Sequence, residues 1–203
     1  YMGGAQRVEL CSALSLDGLT PSAGMITYAK MMQPMKVHVL IRPREGNFVY
    51  TPDEVLCMVN DIKICRALQA DGVVIGALTP EGDIDTATCQ QLVEAAEGMS
   101  ITFHRAFDVC RHPQQALEEI IALGCHRLLT SGQAKTAEKG APFIKTLVEQ
   151  AASRIIIMPG AGITPHNARR ILEATGATEL HASARLGSET HPTIVQQIIN
   201  NIT

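Results

Sequence analysis

The chain has 203 residues, 46 % of them apolar and 18 % charged, with a formal net charge of -3. That is enough apolar material for one sizeable core without disulfides, and the scattered Lys and Arg exclude the basic face of a nucleic-acid binder. No apolar run approaches the roughly 18 residues of a membrane span, no secretory leader is recognisable, and six cysteines without a C-x-x-C pair fit free thiols in a reduced cytoplasm.

Short β-prone runs alternate with helical stretches along the chain. Gly3-Gly4-Ala5 reads as the C-cap and turn of a preceding helix, and leads into the first run, residues 7–11. Thr20-Pro21 predicts a helix start. Near that helix's end Met31, Met32 and Met35 offer soft thioethers to copper, with core packing as the plainer reading. The second run is 36–42. Thr51-Pro52 opens a helix marked by Val55, Val59, Ile62, Ile64 and Leu68, on which Cys57 and Cys65 read as packing residues. Run 72–77 leads to a helix through Leu92, Val93 and Ala96, and run 100–105 to His112-Pro113 and a helix through Leu117, Ile120, Ile121 and Leu123, closed by Gly124. Runs 126–130, 154–158 and 179–184 follow, with further helix starts at Thr164-Pro165 and His191-Pro192 and a C-cap at Gly176. A capping residue before a proline satisfies one free amide and removes another, and glycine suits the left-handed residue that ends a helix.

Alternating βα units imply a parallel sheet in one domain spanning residues 1–203, either doubly wound or closed as a barrel. The first strand ends in Leu10-Cys11-Ser12, without the G-x-G-x-x-G of a dinucleotide-binding fold. Regular units and polar strand ends favour the (β/α)8 TIM-barrel type. Such a barrel needs eight strands and seven are read, so the first βα unit is expected to be missing from this chain.

Reactive residues of these barrels sit at the C-terminal strand ends. Here those ends supply Glu9 and Cys11; Arg42 and Arg44; His104 and Asp108; Ser131 and Gly132; Gly160 and Gly162; and Ser183 and Arg185. The segment Ile101-Thr102-Phe103-His104-Arg105-Ala106-Phe107-Asp108 is the most telling, since an apolar strand that finishes in three ionisable residues builds a site better than a core. Each group also has a plainer reading: Arg42 and Arg44 as ion-pair partners of Glu9 or Asp108, His104 as a satisfied interior histidine, Cys11 as a small buried hydrophobe, and the glycine loops as tight turns. Two chemistries compete. A soft-metal site would use Cys11 with His104 or His181, whereas an anion site would use Arg42, Arg44 and Arg185 with Ser131, Ser183 and the glycine amides. A positive charge about 6 Å from a cation costs roughly 3 kcal/mol at an effective dielectric near 20. On chemistry alone the arginines therefore suit a small phosphorylated or carboxylated metabolite, with His104, Glu9 or Asp108 as general acid or base.

The same strand ends resemble the CutC family. The motifs are Arg7-Val8-Glu9-Leu10-Cys11, Ile41-Arg42-Pro43-Arg44, Gly76-Ala77-Leu78, the segment 101–108, Leu129-Thr130-Ser131-Gly132, Met158-Pro159-Gly160-Ala161-Gly162-Ile163 and His181-Ala182-Ser183-Ala184-Arg185. The resemblance implies a (β/α)8-type barrel, a cytoplasmic location, a role in copper homeostasis with copper(I) as ligand, and a homodimer or higher homo-oligomer. Cys11 matches one cysteine of the family's suggested copper pair. The other belongs to a first strand with no counterpart among these residues, and the family's segment after the Ser-Ala-Arg motif is longer than the one here.

Overall fold

In a computed structural model the chain is described at every residue except Gln33 and Ser188. Six parallel strands, β1 (Arg7–Leu10), β2 (Lys36–Leu40), β3 (Gly72–Ile75), β4 (Ser100–Phe103), β5 (Arg127–Thr130) and β6 (Ile156–Pro159), lie side by side in chain order. Helices α1 (Ala23–Met31), α2 (Pro52–Ala67), α3 (Thr86–Ala95), α4 (Pro113–Ala122), α5 (Ala137–Ala151), α6 (Ala168–Thr175) and α7 (Pro192–Ile202) alternate with them. The result is a curled sheet, a half-barrel of the TIM type, with Met58, Ile62, Phe103, Leu117 and Ile144 fully buried in its core.

Three of the Pro-marked starts hold. Pro52, Pro113 and Pro192 each occupy the first helical turn, and Thr51 and Glu54 complete a reciprocal capping box. Two starts lie later than expected. Helix α1 is capped by Ser22, because the Thr20 hydroxyl accepts the Arg42 N–H at 2.8 Å instead. Helix α6 waits until Ala168, because the Asn167 side chain first folds residues 164–167 into a turn by accepting the Thr164 N–H at 2.8 Å. Gly176 caps α6 in the left-handed region, as expected. Cys65 is fully buried, but Cys57 is exposed on the outer face of α2 rather than packed.

The run 179–184 departs from expectation, since it forms no strand. A single ladder-like bond, His181 N–H to Pro159 O at 2.9 Å, ties it to β6. Charge holds it instead: Glu179 accepts Arg127 at 2.8 and 3.1 Å and pairs with Arg7 of β1. One carboxylate thus joins β1 to β5 across the interior and draws the sheet into its curl. Beyond it the chain makes a small antiparallel pair, β7 (Arg185–Leu186) with β8 (Glu189–Thr190), for which no expectation existed.

Gly72 in β3 and Gly76 just beyond it make the interior possible. A Cβ at Gly72 would sit 2.7 Å from the His38 ring, and one at Gly76 would sit 2.5 Å from the His104 ring. They lie four residues apart on one face of the chain, and each empties the space that a buried histidine on the neighbouring strand fills.

Candidate functional site

The strand ends do converge, but the polar groups there are mostly engaged with one another. Asp108 accepts from Thr130 Oγ1 at 2.5 Å, from the Ser131 amide at 3.0 Å and hydroxyl at 2.9 Å, from the Gln133 amide at 3.2 Å and from Arg105 at 2.7 Å. With a side chain only 6 % exposed, it clamps the loop after β5 to the turn after β4. Ser131 is held in that clamp, its hydroxyl oxygen also lying 2.6 Å from Ala134 O, so that its one proton is shared between the two acceptors. Gly132 (φ +69°) is packed so tightly that a Cβ would lie 2.6 Å from Gly140 O. In the loop after β6, a Cβ at Gly160 would lie 2.5 Å from Leu129, and Gly162 (φ +75°) packs on Thr136 while its carbonyl accepts from Asn167. These glycines seat α5 and α6 on the strand ends.

Arg44 faces outward, bonded to Glu54 at 2.5 Å and to the carbonyls of Glu45, Asn47 and Val49, with its guanidinium over Tyr50. Ser183 and Arg185 are exposed, and Ser183 O accepts the Thr190 hydroxyl. Glu9 approaches His181, its oxygen 3.7 Å from Nδ1. Cys11 is half-buried at the end of β1. A Cβ at Gly18 would lie 3.4 Å from its Sγ, so the turn before α1 covers it closely. Burial, and then the Glu9 carboxylate, push the Cys11 thiol above its ordinary pKa.

Arg42 and His104 behave differently from the rest. Each is only 5 % exposed. Arg42 donates to the carbonyls of Leu16 at 2.7 Å, Gly18 at 3.0 Å and Gly46 at 3.1 Å, and stacks on Phe48 at 5.3 Å. It has no carboxylate partner among the described residues, and its Nε is buried without an acceptor. The His104 ring lies 5.0 Å from the same Phe48 ring. Its Nδ1 accepts the Ala106 N–H at 3.2 Å, which places the proton on Nε2. That Nε2 is also buried without a partner, and the Tyr50 hydroxyl is buried with no aligned hydrogen bond, its one side-chain neighbour of that kind being the Arg42 guanidinium. Burial and then Arg42 lower His104 to about 3, so it is neutral, and burial raises Tyr50 to about 12 against the opposing pull of Arg42 and Arg44. An unmet buried polar group costs about 1–3 kcal/mol. The Arg42 and His104 side chains flank one aromatic ring, with the Tyr50 hydroxyl beside Arg42, and together they mark a place kept at a cost in stability. The sequence pointed to Arg42 and His104. It did not show Phe48 and Tyr50, which lie in an irregular loop, although their spacing of two residues before the Thr51-Pro52 cap was the available signal.

Two open hollows lie at the opposite end of the sheet, lined by Asp71, Glu97, Met99, Ser100 and His126 in one case and by Cys125, Arg127, Ser153 and Arg154 in the other. Among the described residues no three His, Cys, Asp or Glu side chains are grouped to hold a metal ion, and no helix is long and apolar enough to cross a membrane.

Comparison with known proteins agrees with this geometry. The CutC family model matches residues 1–186. A CutC family protein of Bacteroides thetaiotaomicron is 53 % identical over 184 residues, covering 90 % of this chain and 74 % of that protein. A human copper homeostasis protein cutC homolog is 49 % identical over 183 residues, covering 90 % and 67 %. The crystal structure of a copper homeostasis protein CutC from Streptococcus agalactiae superposes with a TM-score of 0.84 at 38 % identity, covering 87 % of this chain and 88 % of that one. A thiamine phosphate pyrophosphorylase from Pyrococcus furiosus, at 18 % identity and a TM-score of 0.63, shares the barrel-type fold. With its motifs in order along the strand ends and half its residues shared with these relatives, the chain belongs to the CutC family.

Proposed function

We propose that this protein serves copper homeostasis in the cytoplasm by taking up cuprous ion as cargo, with Cys11 as the thiolate that receives it. One observation carries the reading: of the six cysteines, Cys65, Cys89, Cys110 and Cys125 are buried, Cys57 points away from α2, and Cys11 alone lies half-exposed at the strand ends. Thiolate is the ligand softness that selects cuprous ion. A single thiolate gives low coordination, which suits an ion passed on to a second thiol rather than one held for good. Because burial and Glu9 keep Cys11 protonated, uptake releases a proton, and affinity rises with pH up to the thiol's own pKa.

The experiment is an anaerobic competition against a cuprous chelator. Cys11→Ala is expected to weaken binding at least roughly tenfold, a loss of about 1.4 kcal/mol, while Cys57→Ala leaves it unchanged. Equal affinity in Cys11→Ala and the parent protein would dispose of the reading. An acid–base enzyme is less well served by this geometry, since Asp108 already accepts hydrogen bonds from four residues of its own surroundings.

A further inference from the structure

We propose that Arg42 Nε, His104 Nε2 and the Tyr50 hydroxyl form a buried receptor for a small monocarboxylate, closed by Phe48. The three atoms are buried without an aligned hydrogen-bond partner among the described residues, the Tyr50 hydroxyl lies close enough to Arg42 to interact with it, and the Phe48 ring lies against both Arg42 and His104. The guanidinium of Arg42 is surrounded by carbonyls and has no counter-charge among the described residues, although buried charges are normally paired. An anion is therefore the complement the site lacks.

Charge selects among anions. His104 is neutral because its Nδ1 is an acceptor, and Tyr50 is a neutral phenol, so the site holds one positive charge and three donors. A carboxylate brings one negative charge and two oxygens, which can take all three donors. A phosphate dianion would bring a second charge with nothing to offset it. The ligand must be compact, because Gly76 is already filled by the His104 ring. Entry is by the irregular loop 43–50, in which Phe48 is only half-buried and is held through its carbonyl by the Leu78 N–H at 2.8 Å. Swinging the ring outward exposes the donors without disturbing a helix or strand. The inference does not depend on copper, since Cys11 is not part of the receptor.

Formate, acetate and pyruvate are the probes, with chloride at matched ionic strength and inorganic phosphate as controls. Acetate or formate is expected to raise the melting temperature and to shift the Arg42 Nε–H resonance in nitrogen–proton spectra. Tyr50→Phe, which removes only a hydroxyl, is expected to keep the fold and weaken binding roughly tenfold, as for a hydrogen bond to a charged group. Phe48→Ala is expected to speed association. Arg42→Met removes an anchor of two loops and can fail to fold, so the resonance in the parent protein and the Tyr50→Phe titration decide the matter. An Arg42 resonance indifferent to saturating acetate and formate overturns the proposal. So does stabilisation by phosphate equal to that by the carboxylates, or a crystal soak in which water alone bridges the three atoms.

Discussion

His38 and His104 enter the interior as uncharged rings. Burial, then Arg7, lowers His38 to about 4, and burial, then Arg42, lowers His104 to about 3. The unfolded chain takes up protons at these rings as pH falls through about 6.5, while the folded chain refuses them. Stability from this source is complete above pH 6.5 and is lost progressively down to about 4 for one ring and about 3 for the other, by up to about 1.4 kcal/mol per pH unit for each. Urea midpoints measured from pH 7 to pH 4 are expected to fall, and His38→Gln to fall less steeply. At this scale the sequence marked His104, Arg42 and Asp108 as interior-facing ends of strands. What each group touches was not readable, because their partners come from loops whose course no local pattern sets: Phe48 from one, Ser131 and Gln133 from another. Asp108 in particular looked like a base and is a clamp.

Glycine placement decides how the elements seat on one another. Helix α5 crosses the turn after β5 so closely that a Cβ at Gly140 would lie 1.9 Å from Ser131 O. Elsewhere on a helix, alanine improves on glycine by about 0.5–1 kcal/mol. At Gly140 the sign should reverse: Gly140→Ala is expected to destabilise by about 1–3 kcal/mol through backbone overlap, whereas Gly24→Ala, exposed in the first turn of α1 with nothing nearer than 3.8 Å, should stabilise. Urea denaturation of the two variants compares them directly. Six strands lay where apolar runs placed them, because a strand covered on both faces has few other ways to satisfy its side chains. Helix α5 lacks a proline in its first turn and carries Gly140 and Pro142 within it, which masks its pattern in the sequence, although Ala137, Ala141, Ile144, Leu147 and Ala151 share a buried face and Thr136 caps it. The pair β7–β8 is two residues long on each side and exposed, too short for any periodicity to register.

At the scale of the whole molecule one carboxylate ties the edge strand β1 to β5 across the interior. Burial pushes Glu179 up, but hydrogen bonds from Arg127 and Arg7 outweigh it and hold the carboxylate below its ordinary pKa. Removing that charge leaves two arginines facing each other. Glu179→Gln is expected to cost about 1–3 kcal/mol at neutral pH, since a quarter of the carboxylate side chain remains wet and exposed pairs count for less than sealed ones. The run 179–184 was expected to supply a strand; it supplies this tether instead, because its inward residues are ionic and meet ionic partners across the interior. The tether also has a consequence in time. Arg7 and Glu179 stand 172 residues apart in the chain, whereas each ladder of the sheet joins neighbouring units. Contacts between such distant residues form late, after loop closure has been achieved by nearer ones. Stopped-flow traces of Glu179→Gln should therefore show a folding rate close to that of the parent and an unfolding rate raised by most of the lost free energy. The charge that joins β1 to β5 then acts as a latch on leaving the native state rather than as a guide into it.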